Sequence, residues 1–171
     1  MHLKMTELET ERLRLREFRP ADLPLVAVWE GTAHTEKFLE FCLQSYRQWG
    51  MGPWALVKKP TGEIVGNCGF CRIGYEPDAA SFEYCGEVNY YIAPPDRRQG
   101  FASEALPAIV SFGFDNLRLT RIQGRCSPTN VGSERVMLKA GLQFERMIPA
   151  AEDSLPDEKL YAITREGFHL K

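Results

Sequence analysis

The chain has 171 residues, enough for one domain whose apolar core needs no disulfide or metal to hold it together. Hydrophobic residues make up 44% of the sequence and charged residues 26%, which excludes a disordered chain, a collagen-like fibre and a bundle of membrane helices. The net charge of -2 provides no basic field of the kind that attracts nucleic acid, so we expect no nucleic-acid partner.

Hydropathy predicts no membrane segment. Residues 1–10 are charged and contain no apolar run, which is typical of neither a signal peptide nor a membrane anchor. No later segment approaches the roughly 20 apolar residues that a spanning helix needs. We therefore expect a cytoplasmic protein without a membrane partner.

The five cysteines, at positions 42, 68, 71, 85 and 126, form no recognisable disulfide or metal framework. Their number is odd, their spacing is irregular, and the three histidines are scattered. Cys68 and Cys71 form a C-x-x-C pair, but their segment has the pattern of a strand, on which residues three apart point to opposite faces. We predict small buried thiols and no metal site.

Hydrophobic periodicity predicts a single domain, residues 1–171, with seven strands and about four helices. Alternating apolar and polar residues indicate the strands, and apolar residues at helical spacing indicate the helices. The strands are predicted at 11–18, 54–58, 63–73, 82–93, 119–127, 142–147 and 159–165, and the helices from 20, at 36–49, from 100 to about 116 and at 130–140. This order favours an α/β (α+β) fold, in which a mixed, mostly antiparallel sheet carries helices on its faces.

Pro107 lies inside the third predicted helix. Proline has no N–H, so it removes one intrahelical hydrogen bond, here the bond to the carbonyl of Ser103. We expect either a local kink or a helix whose regular part begins later in the chain.

The segment between the fourth strand and the third helix carries the clearest chemical signal. The strand ends, the turn Pro94-Pro95-Asp96-Arg97-Arg98-Gln99 follows, and a helix begins at Gly100. Backbone N–H groups in the first turn of a helix lack internal partners, and with the helix dipole they attract anions. Glycine allows close approach of a bulky ligand, and the arginines add charge suited to phosphate. The pattern favours a phosphate-binding turn, although an ordinary strand-to-helix turn with solvated arginines has the same residues.

The same segment contains no P-loop and no dinucleotide fingerprint. Its Arg97-x-x-Gly100-x-Ala102 resembles the [QR]-x-x-G-x-[GA] signature of the GNAT superfamily of N-acetyltransferases. The surrounding blocks extend the resemblance over most of the chain, with Leu142 where phenylalanine is usual. They are Gly86–Ile92 and Pro94, Ser103–Ala105, the block Arg121–Phe144 with its Asn-x-x-Ser helix start, and the opening Thr10–Phe18 with Ala21-Asp-Leu, which is similar to the RimJ/RimL-like branch.

The resemblance implies a binding mode for acetyl-CoA. In such proteins the cofactor lies in a V-shaped split between the fourth and fifth strands. Its pantetheine arm pairs with the fourth strand, and its pyrophosphate sits on the loop amides. Asn130 would contact the cofactor where the fifth strand ends, although its position before a helix also favours an N-cap. The implied cofactor residues are Tyr91, Ile92 and Ala93 for the pantetheine and Arg98, Gln99, Gly100, Phe101, Ala102 and Ser103 for the pyrophosphate.

Acetyl transfer to an amine needs a base, because a free alkylamine has a pKa near 10. We favour Glu87 on the fourth strand, acting directly or through water, over Glu83 on the same face. The alternative is that Glu87 is a solvated strand carboxylate. A backbone N–H near Ile92 is the expected donor to the carbonyl oxygen, which gains negative charge in the transition state.

The acid that protonates the leaving thiolate is less clear from the sequence. Many family members use a tyrosine seven residues after the helix-start asparagine, and here that position is Met137. The resemblance to RimL-like members implies Ser133 of the Asn-x-x-Ser start, although a first-turn capping residue is the alternative. Tyr161 on a late strand is a more remote candidate.

The sequence therefore predicts an N-acetyltransferase that moves an acetyl group from acetyl-CoA to a primary amine in a ternary complex, without a metal. The acceptor, a protein N-terminus, a polyamine or a small amine, is not readable. Three alternatives stay open: a different acyl-CoA as donor, a binding or sensory module without turnover, and a structural partner with a vestigial loop. The oligomeric state is also open, although a homodimer is common in the family.

Overall fold

The computed structural model describes residues 5–30, 32–75, 84–150 and 156–169. Within them, eight strands form one sheet with the order β1-β2-β3-β4-β5-β6-β8-β7. The pair β5–β6 is parallel, whereas β1–β2, β2–β3, β3–β4, β6–β8 and β7–β8 are antiparallel. The strands are β1 Leu8–Glu9, β2 Leu13–Arg16, β3 Pro53–Lys58, β4 Ile64–Tyr75, β5 Tyr84–Ile92, β6 Arg121–Cys126, β7 Gln143–Ile148 and β8 Glu158–Thr164.

Five α-helices accompany the sheet within the same residues, and they confirm the predicted mixed α/β class. None of them is both long and apolar enough to cross a bilayer. The helices are α1 Leu23–Glu30, α2 Thr32–Trp49, α3 Phe101–Asp115, α4 Val131–Lys139 and α5 Arg165–His169.

The predicted count of seven strands is wrong by one. The additional strand is β1, whose two residues pair with β2 and are too few to show any alternation. The last strand is predicted to end at Arg165, but β8 ends one residue earlier, at Thr164, because Arg165 begins the short helix α5. Of the two expectations for Pro107, the later start of regular helix is wrong, since α3 begins at Phe101 and includes Pro107.

The chain forms two compact units, one of Met1–Phe70 with Asn89–Ala108 and the other of Cys71–Val88 with Ile109–Lys171. In the first unit, Leu13 and Leu15 of β2 are fully buried, and Arg14 between them is exposed, as the alternation predicts. Burial of each such side chain contributes about 1.5–3 kcal/mol. Trp54 of β3 is also fully buried, and its indole N–H donates to the carbonyl of Thr6 at 2.9 Å.

Tyr46 connects α2 to two other segments of the first unit. Its ring is almost fully buried, and its hydroxyl donates to the carbonyl of Pro53 and accepts from the N–H of Phe18 at 3.1 Å. Both hydrogen bonds are needed because a buried phenol without partners would be costly. Burial also raises the pKa of Tyr46, so the hydroxyl keeps its proton at neutral pH.

In the second unit, β6 is the central strand, because it pairs with both β5 and β8. The parallel register of β5 with β6 covers three residue pairs, from Cys85↔Arg121 to Glu87↔Gln123. Ile122 of β6 is fully buried, and Met137 of α4 lies over Gly124, where a Cβ atom would be 2.9 Å from the methionine sulfur.

The five cysteines are thiols that form no disulfide. Cys42, Cys68, Cys85 and Cys126 are buried, and Cys71 is half-buried. Burial raises the pKa of the Cys42 thiol to about 12 and that of Cys68 further still. These two thiols are therefore protonated and unreactive at neutral pH.

Gly66 of β4 is required by the close approach of β5. A Cβ atom there would lie 2.0 Å from the carbonyl oxygen of Tyr91 and 3.0 Å from the Cα atom of Ile92, and both are backbone atoms. Gly66→Ala is expected to lower the free energy of unfolding by about 3 kcal/mol, because overpacking against backbone forces the strands apart. Urea unfolding measures the change.

Gly74→Ala is the matched control, because Gly74 lies on the same strand with no atom within 4 Å of its added Cβ. Equal losses of stability in the two variants would contradict the close approach.

Candidate active site

The loop before α3 has an unusual backbone. Arg98 has a φ of 63° and Gly100 a φ of 85°, both in the left-handed region. This conformation is uncommon for a residue with a side chain and is typical of turns in which successive N–H groups form a concave anion site. The helix α3 then begins at Phe101.

The first amides of α3 have no internal acceptor. Glu104 is the first residue whose N–H bonds within the helix turn, at 3.0 Å to the carbonyl of Gly100. In the described part of the chain, the backbone N–H groups of Gly100, Phe101, Ala102 and Ser103 donate no hydrogen bond. Four adjacent N–H groups at the positive end of a 15-residue helix form an anion site.

The end of β5 is partly engaged by the protein itself. Ala93 donates its N–H to the carbonyl of Val65 at 2.8 Å and accepts from the N–H of Asp96 at 2.9 Å. Arg97 does not lie in the loop as a free cation, because its Nε donates to the carbonyl of Ile92 at 2.9 Å and its guanidinium stacks on the Tyr91 ring at 5.5 Å. Of the three predicted pantetheine-pairing residues, Ala93 therefore has no backbone N–H to spare, and its carbonyl already accepts one hydrogen bond.

Glu87 lies on β5 in the second unit and is not a solvated carboxylate. Its side chain is 17% exposed. Its Oε2 accepts from the Nη2 atoms of Arg72 at 3.2 Å and Arg125 at 3.3 Å, and from Nε2 of Gln123 at 3.4 Å. Its Oε1 makes no hydrogen bond or ion pair with any described residue. One oxygen is thus anchored while the other can accept a proton.

The sequence did not reveal these three donors. Gln123 and Arg125 lie two residues apart on β6, and the parallel register places Gln123 opposite Glu87. Alternation assigns Gln123 and Arg125 to one face, but only the strand pairing shows that this face carries Glu87. Glu83, the weaker candidate base, lies outside the described residues.

Asn130 is the N-cap of α4, as its position suggested. Its Oδ1 accepts from the N–H of Ser133 at 3.0 Å. Ser133 therefore lies in the capped first turn, where its side chain is half-buried. The cap is compatible with a cofactor contact, because the exposed amide group of Asn130 has further donors.

The position of the missing family tyrosine and the remote candidate acid Tyr161 have different environments. Met137 occupies the position where many relatives have tyrosine, and its side chain is 1% exposed. Tyr161 on β8 is also buried, and its hydroxyl is hydrogen-bonded to Glu134, which pairs with Lys159 at 3.0 Å. Burial and then this hydrogen bond raise the pKa of Tyr161, so it holds its proton firmly.

A cavity of about 340 Å³ lies in the second unit beside Arg125, one of the two arginines on Glu87. Its wall combines apolar residues with the opposite charges of Arg125 and Glu158. The other lining residues are Ser127, Ile148, Pro149, Ala150 and Pro156. Among the described residues, no cluster of three or more His, Cys, Asp and Glu side chains is arranged to hold a metal ion.

Comparison with known proteins identifies the family. Residues 12–143 match the acetyltransferase (GNAT) domain. The uncharacterized N-acetyltransferase YnaD of Bacillus subtilis is 30% identical over 95% of this chain and 99% of its own length. The crystal structure of a GNAT-family acetyltransferase from Bacillus anthracis is 25% identical, covers 94% of this chain and 99% of its own, and superposes with a TM-score of 0.73.

RimL, a ribosomal L7/L12 alpha-N-protein acetyltransferase in complex with coenzyme A, shares the fold at a TM-score of 0.76. It is 16% identical, covering 93% of this chain and 98% of its own. The fold and the matched domain define an acyl-CoA-dependent acetyltransferase. The chain belongs to the GNAT family and is an N-acetyltransferase.

Substitution of Asn130 separates its capping role from a cofactor contact. Asn130→Ala should lower the free energy of unfolding by about 1 kcal/mol, whereas Asn130→Ser should retain it, because serine caps as well as asparagine. If Asn130 also contacts the cofactor, both variants should bind acetyl-CoA more weakly than the parent protein. Urea unfolding and isothermal titration calorimetry measure the two effects. Unchanged affinity in Asn130→Ala would exclude the contact.

Proposed function

We propose that the enzyme transfers the acetyl group of acetyl-CoA to a primary amine by direct attack, with no covalent enzyme intermediate. We also propose that residues 1–171 act as a single GNAT-like domain of the RimJ/RimL-like branch. The observation that carries the proposal is the row of four unpartnered amides from Gly100 to Ser103, in a chain whose residues 12–143 match the GNAT domain.

The loop from Arg98 to Ser103 would bind the pyrophosphate of acetyl-CoA. Its amides are available, Gly100 leaves room for close approach, and the helix dipole favours the negative charge. The pantetheine arm would follow Tyr91 and Ile92, with Ala93 contributing close contact and no hydrogen bond. The complex of RimL with coenzyme A supports this use of the fold.

Glu87 would remove the proton from the acceptor ammonium, directly or through one water molecule. Its anchored Oε2 fixes the carboxylate, and its Oε1 is open to the proton. The neutral amine attacks the thioester carbonyl, and the N–H of Ile92 would stabilise the oxyanion. The nitrogen of the intermediate then loses its second proton as CoA thiolate is expelled, and Ser133 would relay that proton to the sulfur, so that the free thiol forms and the serine hydroxyl is restored. Glu87 then releases to solvent the proton that it took from the ammonium.

The acceptor would bind in the cavity beside Arg125 and Glu158. The apolar wall suits a chain of methylene or side-chain groups, and the two charges suit an acceptor with polar ends. A protein N-terminus, a polyamine and a small amine all stay within this class, and RimL acts on a protein N-terminus. Homodimerisation and a cytoplasmic location also stay predictions.

Binding and turnover test the proposal separately. Calorimetry with acetyl-CoA should give a saturable heat, and the ligand should raise the melting temperature by mass action. Release of free thiol with a panel of peptides, polyamines and amino sugars should identify an acceptor. Binding of acetyl-CoA without thiol release in the presence of any amine would favour a non-catalytic module. Faster turnover with a longer acyl-CoA than with acetyl-CoA would show that the donor is a different thioester. Absence of both heat and stabilisation would contradict the proposal.

Glu87→Gln tests the proposed base. Turnover with the identified acceptor should fall about 100-fold or more, because glutamine cannot accept the proton. Acetyl-CoA affinity should change little. The measurement is steady-state kinetics in both substrates.

Glu145→Gln is the control for this test, because Glu145 lies in the same unit and is paired with Arg121 at 2.7 Å. It should retain turnover. Undiminished turnover in Glu87→Gln would show that Glu87 is only a structural partner of Arg72 and Arg125.

A further inference from the structure

Two sequence blocks that resemble the family contain residues without a role in the proposed chemistry, and in the first unit these residues meet. Thr10 and Arg12 come from the opening block, and Glu104 comes from the block after the loop. The Glu104 carboxylate accepts from the hydroxyl of Thr10 at 2.5 Å, from the N–H of Arg12 at 2.8 Å and from Nε of Arg12 at 2.6 Å. Glu104 is 17% exposed, so three donors meet a largely buried carboxylate.

The ionised form of Glu104 is the one this arrangement stabilises. Burial favours the neutral acid, but the hydrogen bonds from Thr10 and Arg12 outweigh it and hold the pKa of Glu104 below its ordinary value. The contact of Arg12 with Glu104 is therefore an ion pair at neutral pH, with the short geometry of a charge-assisted hydrogen bond.

The guanidinium of Arg12 also contacts the loop itself. Its Nη1 donates to the carbonyl of Gln99 at 3.0 Å, and its Cζ lies 4.6 Å from the centre of the Phe101 ring. Its Nη2 lies 3.5 Å from the place where a Cβ of Gly100 would be. One side chain therefore contacts the loop on both sides of its left-handed glycine and holds the first turn of α3 through Glu104.

The loop needs such support. The left-handed conformation of Arg98 is strained, and a strained backbone persists only where its surroundings hold it. The beginning of the loop is anchored separately, because Lys58 pairs with Asp96 at 2.6 Å and Nε2 of Gln99 donates to the carbonyl of Pro95 at 3.3 Å. Arg12 and Glu104 anchor its end, where the unpartnered amides lie.

We propose that Arg12 and Glu104 are positioning residues that hold the amides from Gly100 to Ser103 ready for the CoA diphosphate. This inference rests on the proposed function of that loop. The pair sets the affinity for the acyl donor by keeping the loop in its binding conformation before the cofactor arrives. It takes no part in the transfer step.

The sign of the Glu104 effect distinguishes positioning from simple electrostatics. Glu104 is a negative charge in the first turn of the helix that faces the diphosphate. Electrostatics alone predicts that Glu104→Gln binds acetyl-CoA more tightly, because a repelling charge is removed. Positioning predicts weaker binding, because the ion pair to Arg12 is lost.

The experiment measures the acetyl-CoA dissociation constant of the full chain by calorimetry, for the parent protein, Arg12→Gln, Glu104→Gln and the double variant. Each single variant should bind about tenfold more weakly, which corresponds to about 1.4 kcal/mol. The double variant should be little weaker than either single one, since both remove the same contact. The KM for acetyl-CoA should rise, and kcat at saturating donor should stay unchanged.

Arg14→Gln is the matched control, because Arg14 has the same charge two residues further along the chain, on β2, and its side chain forms an ion pair with Glu9 at 3.9 Å. It should bind like the parent protein. Circular dichroism checks folding, and Thr10→Val is the milder variant, because it removes one donor to Glu104 and leaves the ion pair. Thr10→Val should weaken binding by a smaller factor.

Several outcomes would overturn the inference. They are equal or tighter binding by folded Glu104→Gln, equal losses in Arg12→Gln and Arg14→Gln, and a fall in kcat without a rise in KM. If Glu104→Gln does not fold, parent-like acetyl-CoA binding by Thr10→Val would also overturn the inference. Absence of binding by the parent protein would instead overturn the proposed function, and this inference with it.

Discussion

Unpartnered backbone amides at the start of α3 are the constraint on which the proposed chemistry depends. A helix cannot satisfy its own first N–H groups, and here the preceding turn approaches with two left-handed residues, Arg98 and Gly100. An anion is the natural partner for such a group of donors. The donor substrate of an acetyltransferase carries a diphosphate, which is why we propose these unpartnered amides as its binding site.

The arginine contacts around this loop hold its conformation and leave no free guanidinium charge on Arg12 or Arg97. Arg97 is used on the carbonyl of Ile92, and Arg12 is shared by Gln99 and Glu104. Both guanidinium groups are therefore already bonded to groups of the protein. In the proposed binding mode the backbone amides supply most of the binding free energy, and the arginines would hold that backbone in its left-handed conformation.

In the second unit, Glu87 is likewise held in place by neighbouring side chains. Arg72, Arg125 and Gln123 all contact one carboxylate oxygen and leave the other open. A base held in this way is oriented without being blocked. The interpretation of Glu87 as a solvated strand residue fails because β6 pairs with β5 in parallel and brings Gln123 opposite it.

The sequence by itself determined the strands and helices with clear periodicity, the anion-binding helix start and the family. Local patterns carry that information, because alternation, helical spacing and Gly100 act within a few residues. Strand β1 is too short to have a period. The partners of Glu104 lie 92 and 94 residues away, and the Arg125 partner of Glu87 lies 38 residues away. Only tertiary structure decided these contacts, because strand pairing and helix packing join segments whose local sequences contain no information about each other.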